Sequence, residues 1–293
     1  MKDIAPIQRF VLVTGSSTGI GKACAIDLAR RGFSVLAGVR KAEDGEKLKL
    51  IGGPDLQAIQ LDIADTKSIV EAAAKISELT GDAGLAGLVN NAGIGVPGPI
   101  EFLTRDDWRR QFEVNLFGHV ELTSALLPAL RRHVASAGDG AARIVFIGSI
   151  AGRVSIPILG PYSASKHALA ATAGSLRMEL RRQGIHVCLI EPGAIQSEIW
   201  RKGDEVGASI APDAPPRQLY GPEIDAVLAS SRQSAVDAIP ADRVARVVYG
   251  CLTRSRPPLR KTVGRDAFFA AMLRKILPEG LFEKVLLMGM KIK

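Results

Sequence analysis

The sequence predicts an α/β fold: one domain built on a doubly wound, seven-stranded parallel sheet, with a carboxyl-terminal helical extension. Three observations predict it. Short β-branched, apolar runs alternate with segments of helical period from Phe10 to beyond Gly250, with no linker between them. A glycine-rich turn, Gly15-Ser-Ser-Thr-Gly19-Ile-Gly21, joins the first run to the first helical segment. The 293 residues are also enough to bury a large core without disulfide or metal staples. The main domain is placed at residues 1–264 and the extension at 265–293.

The strands follow in order. Arg9 to Thr14 is a compact apolar run suited to a buried strand, and Phe33 to Val39 is the second. The third runs from Leu56 towards Asp62 and Ile63, and the fourth is Leu85 to Val89. Arg143 to Gly148, His186 to Glu191 and a short Lys261 to Gly264 complete seven. Helices near Arg105 to Ala137 and Ser163 to Gln183 are expected to flank the sheet. A long insertion from Ser197 to about Ala238 contains Ala211-Pro-Asp-Ala-Pro-Pro-Arg-Gln, which has the composition of a mobile flap. Within it, Trp200 either lines a pocket or anchors a short helix.

Strand, glycine-rich turn, helix is the context of a dinucleotide site. Glycine lets the backbone approach a pyrophosphate, and free N–H groups at the helix start receive its charge. Gly15, Ser17, Thr18, Gly19 and Ile20 are the candidates. The second strand ends at Arg40, with no acid until Glu43. A carboxylate there would bind the ribose hydroxyl of NAD, whereas arginine accommodates the 2′-phosphate of NADP. NADP(H) is therefore favoured, and NAD(H) stays open. Asp62 and Ile63 stand where the third strand would meet the adenine, and Asn90-Asn91-Ala92-Gly93 makes a small-residue turn after the fourth.

Tyr162 and Lys166 stand four residues apart, one helical turn, so their side chains leave the same face. Lowering a phenol from about 10 by three units takes roughly 4 kcal/mol. One cation about 4 Å away, at an effective dielectric near 20, supplies roughly that. The pair is thus able to work as a proton shuttle.

Taken together, Thr14-Gly15-x-x-x-Gly19-Ile20-Gly21, Asn90-Asn91-Ala92-Gly93, Asn115, Ser149, Tyr162-x-x-x-Lys166 and Pro192-Gly193 resemble the short-chain dehydrogenases/reductases over about residues 7 to 264. The stretch Ser-Leu-Arg-Met-Glu-Leu-Arg-Arg-Gln-Gly-Ile-His-Val, followed by Ile-Glu-Pro-Gly-Ala, is similar to the branch holding retinol, hydroxysteroid and 3-hydroxybutyrate dehydrogenases. The resemblance implies hydride transfer between nicotinamide and a carbonyl carbon, with Tyr162 as general acid/base. It implies that Lys166 lowers the Tyr162 pKa and holds the nicotinamide ribose, that Ser149 binds the substrate oxygen, and that Asn115 fixes a water of the proton relay. Asn91, Ala92 and Gly93 would border the cofactor, and Pro192, Gly193 and the Ile195 backbone would seat the nicotinamide. Ser197 stands where the family often has Thr, with the hydroxyl retained. A homodimer or homotetramer is implied through the helices near Arg105 and Ser163, the latter carrying Ala164, Ala168, Ala171 and Gly174.

Composition bounds the alternatives. The charge of +8 is concentrated: Leu252 to Lys293 holds ten Lys/Arg against three Asp/Glu, a net +7. No aromatic-interleaved basic patch indicates nucleic acid. The cysteines, Cys24, Cys188 and Cys251, and the four histidines show no ligand spacing, so no metal is expected. No run reaches membrane-spanning length and no signal sequence opens the chain, so a cytoplasmic location is expected. Apolar residues recur at helical spacing through the basic tail, which either packs on the domain or a partner, or lies on an anionic membrane. The candidate substrate loops, Ile94 to Ile100 and Ile150 to Leu159, contain only Arg153 as a charge, which points to a small apolar alcohol or carbonyl compound. A non-catalytic dinucleotide sensor and a sugar-nucleotide epimerase or dehydratase are the competing readings.

Overall fold

The computed structural model describes residues 9–138, 140–196, 211 and 213–292. Seven parallel strands form one sheet: β1 (Phe10–Val13), β2 (Ser34–Val39), β3 (Leu56–Gln60), β4 (Leu85–Asn90), β5 (Ala142–Ile147), β6 (Ile185–Pro192) and β7 (Arg260–Val263). Their spatial order is β3-β2-β1-β4-β5-β6-β7. The chain reverses its direction of winding between β1 and β4, so the crevice beyond their carboxyl ends is the place for a ligand in such a sheet.

Strand alternation sends neighbouring side chains to opposite faces. Val11 and Val13 join one buried cluster with α1 (Gly19–Arg30) and α8 (Asp242–Thr253). Leu12 and Leu88 join the other with α3 (Thr66–Thr80), α5 (Gly118–Ala137) and α6 (Gly160–Glu179). Both faces are covered, which is why the strands read as continuous apolar runs. The remaining helices are α2 (Ala42–Gly52), α4 (Arg105–Phe112), α7 (Pro215–Val236), α9 (Arg265–Ile276) and α10 (Glu279–Gly289).

Two departures from expectation stand out. The long helix expected from Arg105 to Ala137 is broken by a π-helical turn, Glu113–Phe117, between α4 and α5. Pro215 and Pro216, read as flap residues, instead occupy the first turn of α7, where a missing N–H is harmless. That helix kinks at Tyr220, whose hydroxyl donates to Glu101 (2.8 Å) and whose ring meets Phe102 edge-on. Pro278, by contrast, separates α9 from α10. Trp200 and Ser197 lie outside the described residues.

Candidate active site

The turn after β1 is held by hydrogen bonds rather than by bulk. The Thr14 hydroxyl accepts from the backbone N–H groups of Asn91 (2.9 Å) and Ala92 (3.0 Å). The Asn91 side chain donates back to the Thr14 carbonyl (2.9 Å). The turns after β1 and β4 are thereby locked together across the crevice. Gly15 adopts φ +64°, and a Cβ there would stand 2.9 Å from the Ala92 Cα. On Gly21 a Cβ would run into the Gly15 carbonyl, so only glycine lets α1 start this close to the turn.

The first turn of α1 is left open. Thr18 sits at its N-cap without a side-chain hydrogen bond to it, and no acid lies in that turn. Unsatisfied N–H groups without a competing carboxylate suit a pyrophosphate, so this end of the chain fits a dinucleotide. Ser17 and Ile20 are half-buried beside it. An open cleft of about 640 Å³ has both Arg40 and Asp62 in its lining, together with Lys67 and Ser68. Asp62 is braced there, its backbone N–H donating to Ser68 and its carboxylate accepting from Ala64. Ile63 and Ile195 are core residues, so their side chains do not reach a ligand.

Asn115 and Lys166 converge on the turn after β4, and Ser149 and Tyr162 join through Lys166. Asn115, in the π-helical turn, is fully buried; its amide exchanges two hydrogen bonds with the Ile94 backbone and donates to Ser165 (3.1 Å). Ser165 in turn donates to the Tyr162 carbonyl. Lys166 is buried and donates to the Ile147 carbonyl (3.0 Å). A Cβ on Gly93 would lie 3.4 Å from the Asn115 oxygen and 3.7 Å from the Lys166 amine, so glycine leaves the space above both groups clear. Ser149 caps the Ile150–Gly152 turn by accepting from Ala151, and its hydroxyl is near enough to act on Tyr162.

The electrostatics differ from the simple pair expected. Burial raises the Tyr162 pKa, and the Ser149 hydrogen bond opposes it without reversing the direction. Lys166 sits 5.9 Å from the Tyr162 ring centroid, and burial pulls its own pKa down to about 8. A harder-to-protonate amine is a weaker lever than the permanent cation assumed from the sequence.

Several supporting residues were missed by the sequence reading. His119 is fully buried under the Asn90-to-Gly93 turn, and burial lowers its pKa to about 3, so it is neutral. Its Nε2 bonds the Ala92 carbonyl (2.8 Å) and its Nδ1 faces Asn90. Gln111 braces the loop after Gly93 through Val96 and Ile94. Glu191, just before Pro192, is buried and paired with both Arg153 and Arg260. Asp266, at the start of α9, accepts from the Ala194 N–H at 2.6 Å, directly after Gly193. No local motif announces these partners; Asp266 and Ala194 are 72 residues apart. His167, next to Lys166, is exposed and bonds the Ser163 carbonyl of its own helix.

A doubly wound sheet with an open helix start at its switch point and a Ser–Tyr–Lys constellation beside it defines a dinucleotide-dependent oxidoreductase. The short chain dehydrogenase family profile matches residues 9–206. The chain belongs to that family. It is 37% identical over 280 residues to the uncharacterized oxidoreductase YbbO of Escherichia coli, covering 96% of this chain and 94% of that protein. It is 33% identical over 289 residues to an NADPH-dependent 3-dehydrocapnine reductase of Ornithobacterium rhinotracheale (97% and 98% covered). The rat retinol dehydrogenase 7 is 33% identical over 295 residues (96% and 89% covered), in keeping with the branch named above. Among solved structures, a short-chain dehydrogenase from Streptomyces avermitilis superposes with a TM-score of 0.75 at 29% identity, covering 95% of this chain and 97% of that one.

Proposed function

We propose that the chain is an NADP(H)-dependent oxidoreductase that interconverts an apolar secondary alcohol and its ketone, or a primary alcohol and its aldehyde. The observation that carries this is Tyr162 with Ser149 acting on its hydroxyl and buried Lys166 beside its ring, at the open end of the switch-point crevice. Arg40, at the end of β2 and in the lining of the cleft with Asp62, supports NADP over NAD. The name of the Ornithobacterium relative points the same way.

Gly15, Ser17, Thr18 and Gly19 would take the pyrophosphate, Asp62 with the Ile63 backbone the adenosine, and Pro192, Gly193 and the Ile195 backbone the nicotinamide. When bound, the cofactor supplies or accepts hydride at its nicotinamide ring. This chain's own work is to place and move a proton. Ser149 orients the substrate oxygen towards Tyr162. In reduction the Tyr162 hydroxyl donates its proton to that oxygen; in oxidation the tyrosinate removes the hydroxyl proton. Lys166 holds positive charge beside the phenol below about pH 8. The π-helical turn holds Asn115 next to Lys166, at the inner end of this path.

The substrate loops support an apolar substrate of restricted shape. They are tied by the Gly98 N–H donating to the Ile158 carbonyl (2.8 Å), and Ile158 itself is held at φ +64°. A β-branched residue there is strained, which persists only where the surroundings enforce it. Assembly as a dimer or tetramer through α5 and α6 belongs to the same proposal; α5 exposes Val120 there and α6 exposes Ala171 and Met178.

Tyr162→Phe is expected to lower kcat by about 10² to 10⁴ while NADPH binding, read by fluorescence, stays within twofold. Retained turnover would remove Tyr162 from the role. Activity with NADPH against NADH across steroid, retinoid and short-chain carbonyls tests cofactor and substrate together.

A further inference from the structure

We infer that α9 and α10 form a surface that docks this protein on a membrane carrying anionic lipid. On α9, Phe268, Phe269, Met272 and Ile276 are all turned to solvent. Their spacing places them within about 100° of one another around the helix. On α10, Leu281, Val285 and Met288 recur at i, i+4 and i+7 and are likewise exposed, Met288 to 74% and Ile276 on α9 to 67%. The inward sides of these helices are already used: Ala267 and Phe282 are buried, and Asp266 grips the Ala194 backbone. The outward residues are therefore a second apolar side with no role in the core of this chain, on helices whose packing is complete. Contiguous exposed apolar surface of this kind marks an interaction site.

Charge decides what it meets. The segment from Leu252 carries +7 of the chain's +8, and residues 265–293, which hold both helices, carry six Lys/Arg against three Asp/Glu. Two of its three acids are engaged, Asp266 with Ala194 and Glu279 with Arg274. Lys275 and Lys284 flank the two apolar stripes by their helical positions. An apolar stripe with a basic rim is the pattern of a helix lying in the plane of an anionic leaflet. A second copy is the poorer occupant, because an isologous contact would set two net-basic tails against each other. No helix among the described residues is long and apolar enough to cross a membrane, so the contact lies along the surface. Because α9 packs beside the Ile150–Gly152 turn that follows Ser149, a docked tail holds the candidate substrate loops near the lipid phase.

The test is co-sedimentation of the full chain with phosphatidylcholine vesicles, with and without phosphatidylglycerol, at low and high salt. Partition is expected only with the anionic vesicles, and it falls with salt. Phe268→Ser/Ile276→Ser and Lys275→Glu/Lys284→Glu should each lower it about tenfold or more, at roughly fivefold per cation removed and more on reversal. Circular dichroism, rather than turnover, reports that both variants fold, so a failure here is distinguishable from failure of the catalytic reading. Partition that ignores lipid charge, or its absence from anionic vesicles, overturns the inference. So does a self-association lost in Phe268→Ser/Ile276→Ser with vesicle binding unchanged, which would assign the surface to a second copy.

Discussion

The turn after β1 and the helices after β7 lie at opposite ends of the chain, and they engage the rest of the molecule in opposite ways. Around Gly15 almost every polar group is committed: Thr14 and Asn91 trade hydrogen bonds across the crevice, and Ser16 donates to the Val13 carbonyl. What remains free there, the first N–H groups of α1, is free in a fixed position. The α9–α10 tail shows seven large apolar side chains to solvent and attaches to the catalytic domain through a few points, Asp266 foremost. The difference teaches where each region's function comes from. A preorganised turn presents a ready receptor for a small anion, whereas a surface of apolar stripes and cations acquires its meaning from something much larger.

If the catalytic end is as rigid as its hydrogen bonding indicates, burial governs the acid/base behaviour of Tyr162, and that gives the largest expected effect. With its pKa raised above the usual tyrosine value, the basic form is scarce at neutral pH and grows about tenfold per pH unit. Alcohol oxidation, followed as kcat/KM, should therefore climb by roughly a factor of ten per unit from pH 7 to 9. Carbonyl reduction, which needs the protonated phenol, should not lose activity over that range for want of it. A plateau in oxidation near pH 7 would mean that Tyr162 is already ionised, and that the path through Ser149 and Lys166 is misread.

Next in size is the buried carboxylate just before Pro192. Burial favours the neutral acid at Glu191, but Arg260 and Arg153 outweigh it and leave the pKa below the usual 4.5. A lowered carboxylate pKa contributes stability above the unfolded value and loses it as pH falls through the folded one. Glu191→Gln should cost about 1–3 kcal/mol at pH 7, less than for a fully enclosed pair because both arginines reach solvent. The gap between wild type and variant in urea unfolding should narrow as pH falls below 4.5. A gap independent of pH would show that shape, not charge, is what the site requires.

These residues also mark what the sequence could and could not disclose. The five inner strands were legible because a buried strand must be a short apolar run, whereas the edge strands β3 and β7 are partly exposed and were placed by their position in the alternation. The Tyr162–Lys166 pair, Gly15, Gly19 and Asn115 were singled out because the chemistry expected of them needs particular residue types at local or family-wide spacing. Glu191 was assigned only as the end of a strand, since its arginines come from a loop 38 residues earlier and a strand 69 residues later. His119 and Gln111 read as ordinary helix positions for the same reason. The flap that became α7 failed differently: paired prolines break a helix interior but not its first turn, and composition does not say which position they hold.

Asp266 is where the two regions meet, so it should behave like the catalytic end although it belongs to the tail. Removing its carboxylate leaves the Ala194 N–H without its acceptor, a loss of about 1–3 kcal/mol where the group stays dry. Exposure of Asp266 puts the expected effect at the low end. Asp266→Ala should raise the KM for NADPH several-fold with kcat nearly kept, and Asp266→Asn, which retains an acceptor oxygen, should restore most of it. Equal effects of the two variants would indicate that charge near Gly193, rather than the hydrogen bond, is what matters.

The smallest effect is expected from the outer face of the tail. Ile276 is 67% exposed and contributes little to the folded state, so Ile276→Ser should change urea stability by no more than about 0.5 kcal/mol. Leu88→Ala, in the fully buried centre of β4, removes a side chain from a packed core and should cost about 2–5 kcal/mol. The ratio of these two numbers measures the contrast between the regions directly. Should Ile276→Ser prove as costly as a core truncation in the isolated protein, with the loss growing as the protein is concentrated, the apolar face must already be covered. In that case a second copy, not lipid, would be its resting partner.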